Sequence, residues 1–324
     1  MTPTRAQALL AGRREYRVAL VALACASAVW GWSYIVVVWL LPEMGAGSMV
    51  AVRFLAAGAL LVLIRPRAVL SIGRRTALAG ALPGLCLGSA TLLQTEGQRY
   101  LQAAQSGFLA SLFVVLTPLV AWAAFRVRVT PAVWAAVVVA TAGLAVISYN
   151  GVSVGIGSWL TLAGALGYAV QMVLLSQFAE RSAVYGMTAV QLLTAGLIAS
   201  VGLLGSGLNL PDTWSAWAWL AYLTVMATLF MYGVQTWAQA RVPAAATAVV
   251  MACEPLFVSL FSFLIGSPPG ARTLVGGAFI VTAMYLVLAR PARGTTPSPV
   301  NPTGRQGRDG AGRKAADCQN ATGS

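Results

Sequence analysis

The sequence predicts an all-α integral membrane protein with ten transmembrane helices, arranged as two inverted-topology five-helix repeats around a central cavity. Three observations support this prediction. Of the 324 residues, 58% are hydrophobic and 9% are charged, with a mean hydropathy of +0.77. The apolar residues fall into ten runs, and the first five runs resemble the last five in sequence. Because a soluble domain carries about a quarter charged residues, the apolar surface must face lipid.

The ten apolar runs have the length of membrane-spanning helices, which need about 20 residues to cross the hydrocarbon core. Short segments rich in Pro, Gly and charge separate them. The first run is too long for a signal peptide and lacks a small-residue cleavage site, so we expect a retained helix. The runs are 18–41, 47–64, 76–95, 104–125, 132–149, 158–179, 186–205, 216–238, 244–266 and 271–289.

The distribution of basic residues predicts the orientation in the membrane. With ten spans and a cytoplasmic N-terminus, Arg99 and Arg272 are the basic residues that fall in outer loops, and Arg53 lies within a span. The remainder of the 21 Lys and Arg residues fall on the cytoplasmic side. This asymmetry follows the positive-inside rule and predicts a multi-pass inner-membrane protein with both termini cytoplasmic.

The chain divides into four predicted segments. Residues 1–17 form a cytoplasmic N-terminal tail, 18–149 the first five-helix repeat and 158–290 the second. Residues 291–324 are rich in Pro, Gly, Thr and Arg with little apolar content, so we expect a disordered cytoplasmic tail.

An internal duplication relates the two halves at an offset of about 137 residues. Because five is an odd number of spans, the second half enters the membrane from the opposite side, which creates a pseudo-two-fold axis in the membrane plane. Such halves can expose a shared site to each face in turn. Segments 51–58, 94–98 and 117–120 match segments 189–196, 235–239 and 254–257.

Composition argues against several classes of function. Histidine is absent, and the four cysteines have no paired metal-ligand spacing, so we expect no metal, cofactor or catalytic residue. The basic residues form no aromatic-interleaved domain, which argues against nucleic acid as a partner. No phosphate loop of the GxxxxGK[ST] type is present, so any transport would be secondary rather than driven by ATP on this chain.

Glu254 is the most informative side chain because it falls near the middle of the ninth span. A charge at that depth costs about 2.5–3.5 kcal/mol, so we expect it to face a cavity or a partner. It is either a substrate contact or protonatable coupling site, or a structural acid between helices. Pro255 is expected to kink this helix, and Pro118 in the matching segment is expected to kink the fourth.

Arg53 is predicted either to snorkel to the outer interface or to face the cavity, where it would attract a carboxylate or pair with an acid such as Glu96. The matching position of the second repeat is occupied by Gln191, so the fold itself does not require a charge there.

Amide and aromatic side chains complete the set of candidate lining residues. Amides at a spacing of four share one helix face, where they would line the two mouths of a pathway or join helices. Trp30, Trp32, Tyr34 and Tyr168 lie away from the interfacial belts, and packing is the expected role of most of them. The candidates are Gln94, Gln98, Gln191, Gln235, Gln239, Gln171, Trp32 and Tyr168.

Several motifs together resemble the ten-helix EamA-type branch of the drug/metabolite transporter superfamily. They are Trp30-Gly31-Trp32-Ser33, Arg53-Phe54, Leu92 to Gln98, Gly107-Phe108-Leu109 running on to Thr117-Pro118, and Glu254-Pro255. The resemblance implies a basket of helices around a cavity that exports amino acids, related metabolites or drugs. Many members carry Gly-Glu after the fourth and ninth helices, where this chain has Phe125-Arg126 and Gly266-Ser267-Pro268.

The sequence therefore favours a secondary transporter that exports small metabolites by alternating access, with a small-molecule substrate, the lipid bilayer and a coupled proton or counter-substrate as partners. Two alternatives remain. One is a membrane-embedded enzyme acting on lipids, and the other is a non-transporting sensor or scaffold.

Overall fold

The structure is a computed structural model that describes residues 5–126, 131–148, 155–179, 183–204, 207–242, 247, 250–251 and 253–289. Thirteen helices are labelled here in chain order. A 3-10 turn, Ser200–Leu203, extends the ninth, and a π-helical segment, Leu223–Phe230, joins the tenth to the eleventh. The helices are α1 (Arg5–Leu40), α2 (Ala46–Ile64), α3 (Pro66–Leu70), α4 (Arg74–Gly97), α5 (Ala103–Ala110), α6 (Phe113–Phe125), α7 (Pro131–Ser148), α8 (Ile156–Phe178), α9 (Val184–Ala199), α10 (Trp214–Tyr222), α11 (Met231–Gln239), α12 (Glu254–Leu264) and α13 (Ala271–Ala289).

The all-helical membrane architecture is confirmed for the described residues, in which seven helical stretches are long and apolar enough to cross a bilayer. They coincide with the first four, sixth, seventh and eighth predicted spans. Three shorter apolar helices, Trp134–Ile147, Glu254–Leu264 and Ala271–Ala283, fall within the remaining three predicted spans. The first helix begins at Arg5, so it includes much of the segment predicted as an N-terminal tail. The predicted tail 291–324 lies outside the described residues.

Two predicted spans are interrupted near their prolines. The fourth is broken at Ser111 and Leu112, between α5 and α6, so the interruption precedes Pro118 by more than one turn. In the ninth, a turn at Cys253 precedes α12, and Pro255 lies in the first turn of that helix. A proline is favourable there because first-turn N–H groups have no partner within the helix.

Helices of the first half pack mainly on helices of the second half. Helix α4 contacts α8 and α9, α7 contacts α13, α2 contacts α9, and α1 contacts α12. Small residues permit these approaches. A Cβ added to Gly88 of α4 would meet the Ala195 carbonyl of α9, and one added to Gly143 of α7 would lie 2.7 Å from the Gly276 carbonyl of α13. The two halves therefore form one interior rather than two separate bundles.

The contact between α2 and α9 is reciprocal. A Cβ added to Gly58 would lie 2.7 Å from Leu193 Cγ, and one added to Gly196 would lie 2.7 Å from Leu55 Cγ. In the internal duplication, Gly58 matches Gly196 and Leu55 matches Leu193. Gly47 near the start of α2 meets Gly202, just beyond α9, so these two helices run antiparallel. The two matched helices therefore exchange equivalent contacts.

Candidate functional site

A polar cavity lies in the interior where helices of both halves meet. It offers about 70 Å³ to the centres of water-sized molecules, which is room for several waters. Helices α1, α2, α4, α8 and α11 contribute most of the wall, together with the start of α12. The lining residues are Trp30, Ser33, Tyr34, Val37, Arg53, Thr91, Gln94, Thr95, Gln98, Ala110, Phe113, Tyr168, Gln171, Met172, Tyr232, Gln235, Met251 and Glu254.

One face of α1 forms a large part of the wall. Trp30, Ser33, Tyr34 and Val37 follow the spacing of a single helix face and all line the cavity. Trp32 does not, because it lies two residues from Trp30 and so points to another side of the helix. Its ring packs edge-on against other aromatic rings, 5.6 Å from Trp39 and 5.6 Å from Phe261.

Glu254 lines the cavity at the start of α12 and is buried, with 7% of its surface exposed. The Tyr34 side chain of α1 lies beside its carboxylate, and the Gln94 side chain of α4 lies beside Tyr34 in turn. A short polar chain therefore connects the first half of the molecule to the acid in the second half.

Arg53 also lines the cavity and is 5% exposed, so its side chain is buried among the helices. Its Nε–H donates to the Thr228 hydroxyl at 2.9 Å. Within the described part of the chain, no carboxylate forms an ion pair with it. Glu96 does not contact Arg53. It pairs instead with Arg99 at 3.2 Å, and both of those side chains are partly exposed. The cavity thus holds a cation and an acid that do not pair with each other.

Four of the predicted amides line the cavity, namely Gln94, Gln98, Gln171 and Gln235. Gln98 donates to the Tyr34 carbonyl at 3.2 Å. The Gln171 Nε2 and Gln235 Oε1 atoms are buried without a partner. Because buried polar groups rarely stay unpaired, these two amides are points of the cavity wall at which a hydrogen-bond partner is missing.

The remaining two amides lie outside the cavity wall. Gln191 is fully buried, and its Oε1 accepts a hydrogen bond from Thr236 at 3.4 Å. Gln239 is one helical turn beyond Gln235 and is buried with both amide atoms unpaired. The residue that matches it in the first repeat, Gln98, does line the cavity.

Several lining residues were not among the sequence-based candidates. Trp30 and Tyr34 were expected to pack, and Thr91 and Tyr232 were not considered. Tyr168, which was a candidate, donates a hydrogen bond to the Thr91 hydroxyl at 3.1 Å, and Tyr232 lies beside Thr91. The Trp30 and Tyr232 rings lie 5.3 Å apart. One sequence signal could have identified Trp30 and Tyr34 as lining residues. They are four residues apart, so they share one face of an apolar helix, and they lie away from the interfacial aromatic belts.

The cavity has no arrangement suited to a metal ion. Across the residues that the structure describes, no three Cys, Asp or Glu side chains cluster, and the sequence contains no histidine. What the site offers is one guanidinium, one carboxyl, tyrosine hydroxyls and amides, which are groups for binding a small polar molecule.

Comparison with known proteins identifies the family. The model of the EamA-like transporter family matches residues 17–149 and matches again over 155–289. No curated protein matches the sequence. A solved crystal structure aligns with 85% of this chain and 96% of its own, with a TM-score of 0.57 at 16% identity, which shows a shared fold. Because the two matches together span most of the sequence, the chain belongs to the EamA-like transporter family, a family of membrane transporters.

Proposed function

We propose that this protein is a secondary transporter that exports small metabolites, such as amino acids or related compounds, by alternating access. The observation that carries the proposal is the cavity between the two halves, where Arg53 and Glu254 are buried without pairing. Two such charges within an apolar fold are costly unless they face water or a substrate. A substrate-binding site explains why both of these charged side chains lie in the interior.

The architecture we propose is ten crossings in two inverted repeats. The reciprocal contact of Gly58 with Leu193 and of Gly196 with Leu55 supports this, because inversion requires matched helices to run antiparallel. The three shorter apolar helices would complete the ten. Reporter fusions near residues 68 and 240 test the topology. Both should be cytoplasmic, and opposite sides, or two periplasmic sites, would contradict it.

The two glutamine pairs are proposed to mark the two mouths of the pathway. Gln94 and Gln98 both line the present cavity, and we assign them to the periplasmic side. Gln235 lines it too, whereas Gln239, one turn further along, is buried with its amide atoms unpaired. Unpaired amides suit a surface that becomes wet when the cavity opens to the cytoplasm. In this view the structure has its cytoplasmic mouth closed.

Glu254 is the proposed site of proton coupling. The titratable groups around it in the cavity are Arg53 and the tyrosines Tyr34, Tyr168 and Tyr232. Tyrosine and arginine ordinarily titrate at about pH 10 or above, so a carboxyl is the cavity group suited to exchange protons at physiological pH. A counter-substrate is the other means of driving export.

Two linked measurements test the transport function. Medium metabolites are first compared between strains that overexpress and lack the protein, and compounds enriched by overexpression are then tested for counterflow in proteoliposomes. Arg53→Gln should reduce counterflow about 100-fold, whereas Glu96→Gln, which alters an acid away from the cavity, should preserve it. Absence of counterflow with every enriched compound would favour a sensor or scaffold, and chemical conversion of a labelled lipid would favour an enzyme.

A further inference from the structure

The π-helical segment Leu223–Phe230 lies between α10 and α11, beside the cavity. It contains no proline or glycine that would explain a local change of helix type. Its backbone and side chains instead hold two cavity residues from the first half. The Ala227 carbonyl accepts the Trp30 indole N–H at 2.9 Å, and the Thr228 hydroxyl accepts the Arg53 Nε–H at 2.9 Å. Segments of π-helix occur frequently at functional sites.

The bond to Thr228 determines which edge of the guanidinium remains available. Arginine presents five N–H donors in a rigid plane, and Thr228 uses the one on Nε. Among the described residues, no hydrogen bond reaches Nη1 or Nη2, and the guanidinium carbon lies 5.2 Å from the centre of the Phe54 ring. The edge opposite Thr228 therefore carries two parallel N–H groups on a side chain that lines the cavity, which is the geometry that matches the two oxygens of a carboxylate.

The charges in the cavity favour a carboxylate over a phosphate. Arg53 is the one cationic side chain among the lining residues, and Glu254 is an acid in the same wall. A phosphate monoester with close to two negative charges would be undercompensated by a single guanidinium and would be repelled by an ionised Glu254. A single negative charge balances Arg53.

We infer that the cavity binds the carboxylate group of its substrate end-on through Nη1 and Nη2 of Arg53, with Thr228 as the residue that positions the guanidinium. This inference rests on the proposed function and specifies the substrate class for the same cavity. Lysine cannot replace Arg53, because its single ammonium lacks the paired parallel donors.

The test uses the purified full-length protein and measures the shift in its melting temperature with matched probes. The probes are 4-aminobutyrate and 4-aminobutyramide, benzoate and benzamide, and phenyl phosphate. At least one carboxylate should raise the melting temperature by about 2 °C or more while its amide partner does not. Phenyl phosphate should have no effect.

Substitutions then assign the roles of the two residues, using the carboxylate that binds. Arg53→Lys should weaken binding at least tenfold. Thr228→Val, which keeps the shape and removes the acceptor, should weaken it several-fold, and Thr228→Ser should restore it. In counterflow, Thr228→Val should raise KM with little change in the maximal rate. Thr224→Val is the matched control, since Thr224 lies one turn earlier in the same segment and bonds the Leu220 carbonyl at 2.8 Å.

Three results would each overturn the inference. They are an amide or phenyl phosphate binding as well as the carboxylates, no carboxylate binding at all, and unchanged binding by Arg53→Lys. Equal effects of Thr224→Val and Thr228→Val would remove the positioning role. These failures are distinct from failure of the transport proposal, because counterflow of a neutral or cationic metabolite would sustain transport while excluding carboxylate recognition.

Discussion

Arg53 in α2 and Gln191 in α9 occupy matched positions of the duplication, yet their environments differ. Arg53 lines the cavity and bonds Thr228, whereas Gln191 is sealed from solvent and bonds Thr236. Two and five residues later, the matched sequence still forms the same contact, with Gly58 on Leu193 and Gly196 on Leu55. The duplication has thus kept the residues that pack the helices while the polar residues have taken different roles.

The second pair of matched segments shows the same division. Thr117 precedes Pro118 in α6, and its hydroxyl bonds the Phe113 carbonyl of its own helix at 2.7 Å. Glu254 precedes Pro255 in α12, and its carboxylate lies beside Tyr34 of α1 across the cavity. A threonine can satisfy its hydroxyl within its own helix, but a carboxylate needs a donor from elsewhere. The acid therefore contacts a residue of another helix, whereas the threonine bonds within its own helix.

The largest expected effect comes from making the matched positions alike. Arg53→Gln should reduce counterflow about 100-fold, because it removes the guanidinium from its buried contact with the substrate. Losing one partner of such a charged contact costs several kcal/mol. The reverse change, Gln191→Arg, should destabilise the protein without adding a second binding site, since that position is sealed from solvent. Counterflow and thermal unfolding in detergent measure the two effects. Equal loss of counterflow in both variants would contradict the asymmetry.

The next effect concerns proton coupling at Glu254. Protonation of the carboxyl as pH falls removes its charge, so the rate of coupled transport should depend on pH. We expect that rate to vary about tenfold between pH 5 and 8, and Glu254→Gln should remove this variation. Proteoliposomes with imposed pH values provide the measurement. Glu96→Gln is the matched control, because Glu96 pairs with Arg99 away from the cavity and should leave the pH profile unchanged. An unaltered profile in Glu254→Gln would assign the acid a structural role.

The sequence predicts the helical part of this molecule well because membrane-spanning runs are a strong signal. Helix α7, for example, lies at Pro131–Ser148, against a predicted 132–149. The sequence does not predict where a helix changes type. The π-helical segment, for example, bonds another helix through the Trp30 contact with the Ala227 carbonyl, which local composition does not encode.

The candidate site is predicted less completely, for a physical reason. Glu254 and Arg53 stand out because a charge within a span is costly wherever the helix points. Trp30, Trp32 and Tyr34 are tolerated on lipid, core and cavity faces alike, so composition does not separate them. Their assignment needs the rotation of α1, which is set by its packing against α12 and neighbouring helices.

A smaller effect tests whether the α2–α9 contact is truly reciprocal. Gly58→Ala and Gly196→Ala each insert a methyl group against a leucine, and each should destabilise the protein by about 1–3 kcal/mol. The two losses should agree in size because the contacts are equivalent. Gly233→Ala is the control, since a Cβ there meets nothing within 4 Å. Thermal unfolding that gave a loss at one of the two glycines and none at the other would contradict the two-fold relation.

The smallest expected effect distinguishes the two glutamine pairs. Gln98 donates a hydrogen bond to Tyr34, so Gln98→Met should destabilise the present conformation by about 1 kcal/mol. Gln239 has both amide atoms buried and unpaired, so Gln239→Met removes an unsatisfied polar group and should stabilise the protein by a similar amount. Opposite shifts in melting temperature are the expected result.

Transport by the same variants tests what the unpaired amide of Gln239 is for. If that amide is wetted in the cytoplasm-facing state, Gln239→Met favours the closed cytoplasmic mouth, and its counterflow should fall a few-fold although its stability rises. Stability and activity would then move in opposite directions, which simple loss of packing cannot produce. A stabilised Gln239→Met variant with undiminished counterflow would place the cytoplasmic route elsewhere.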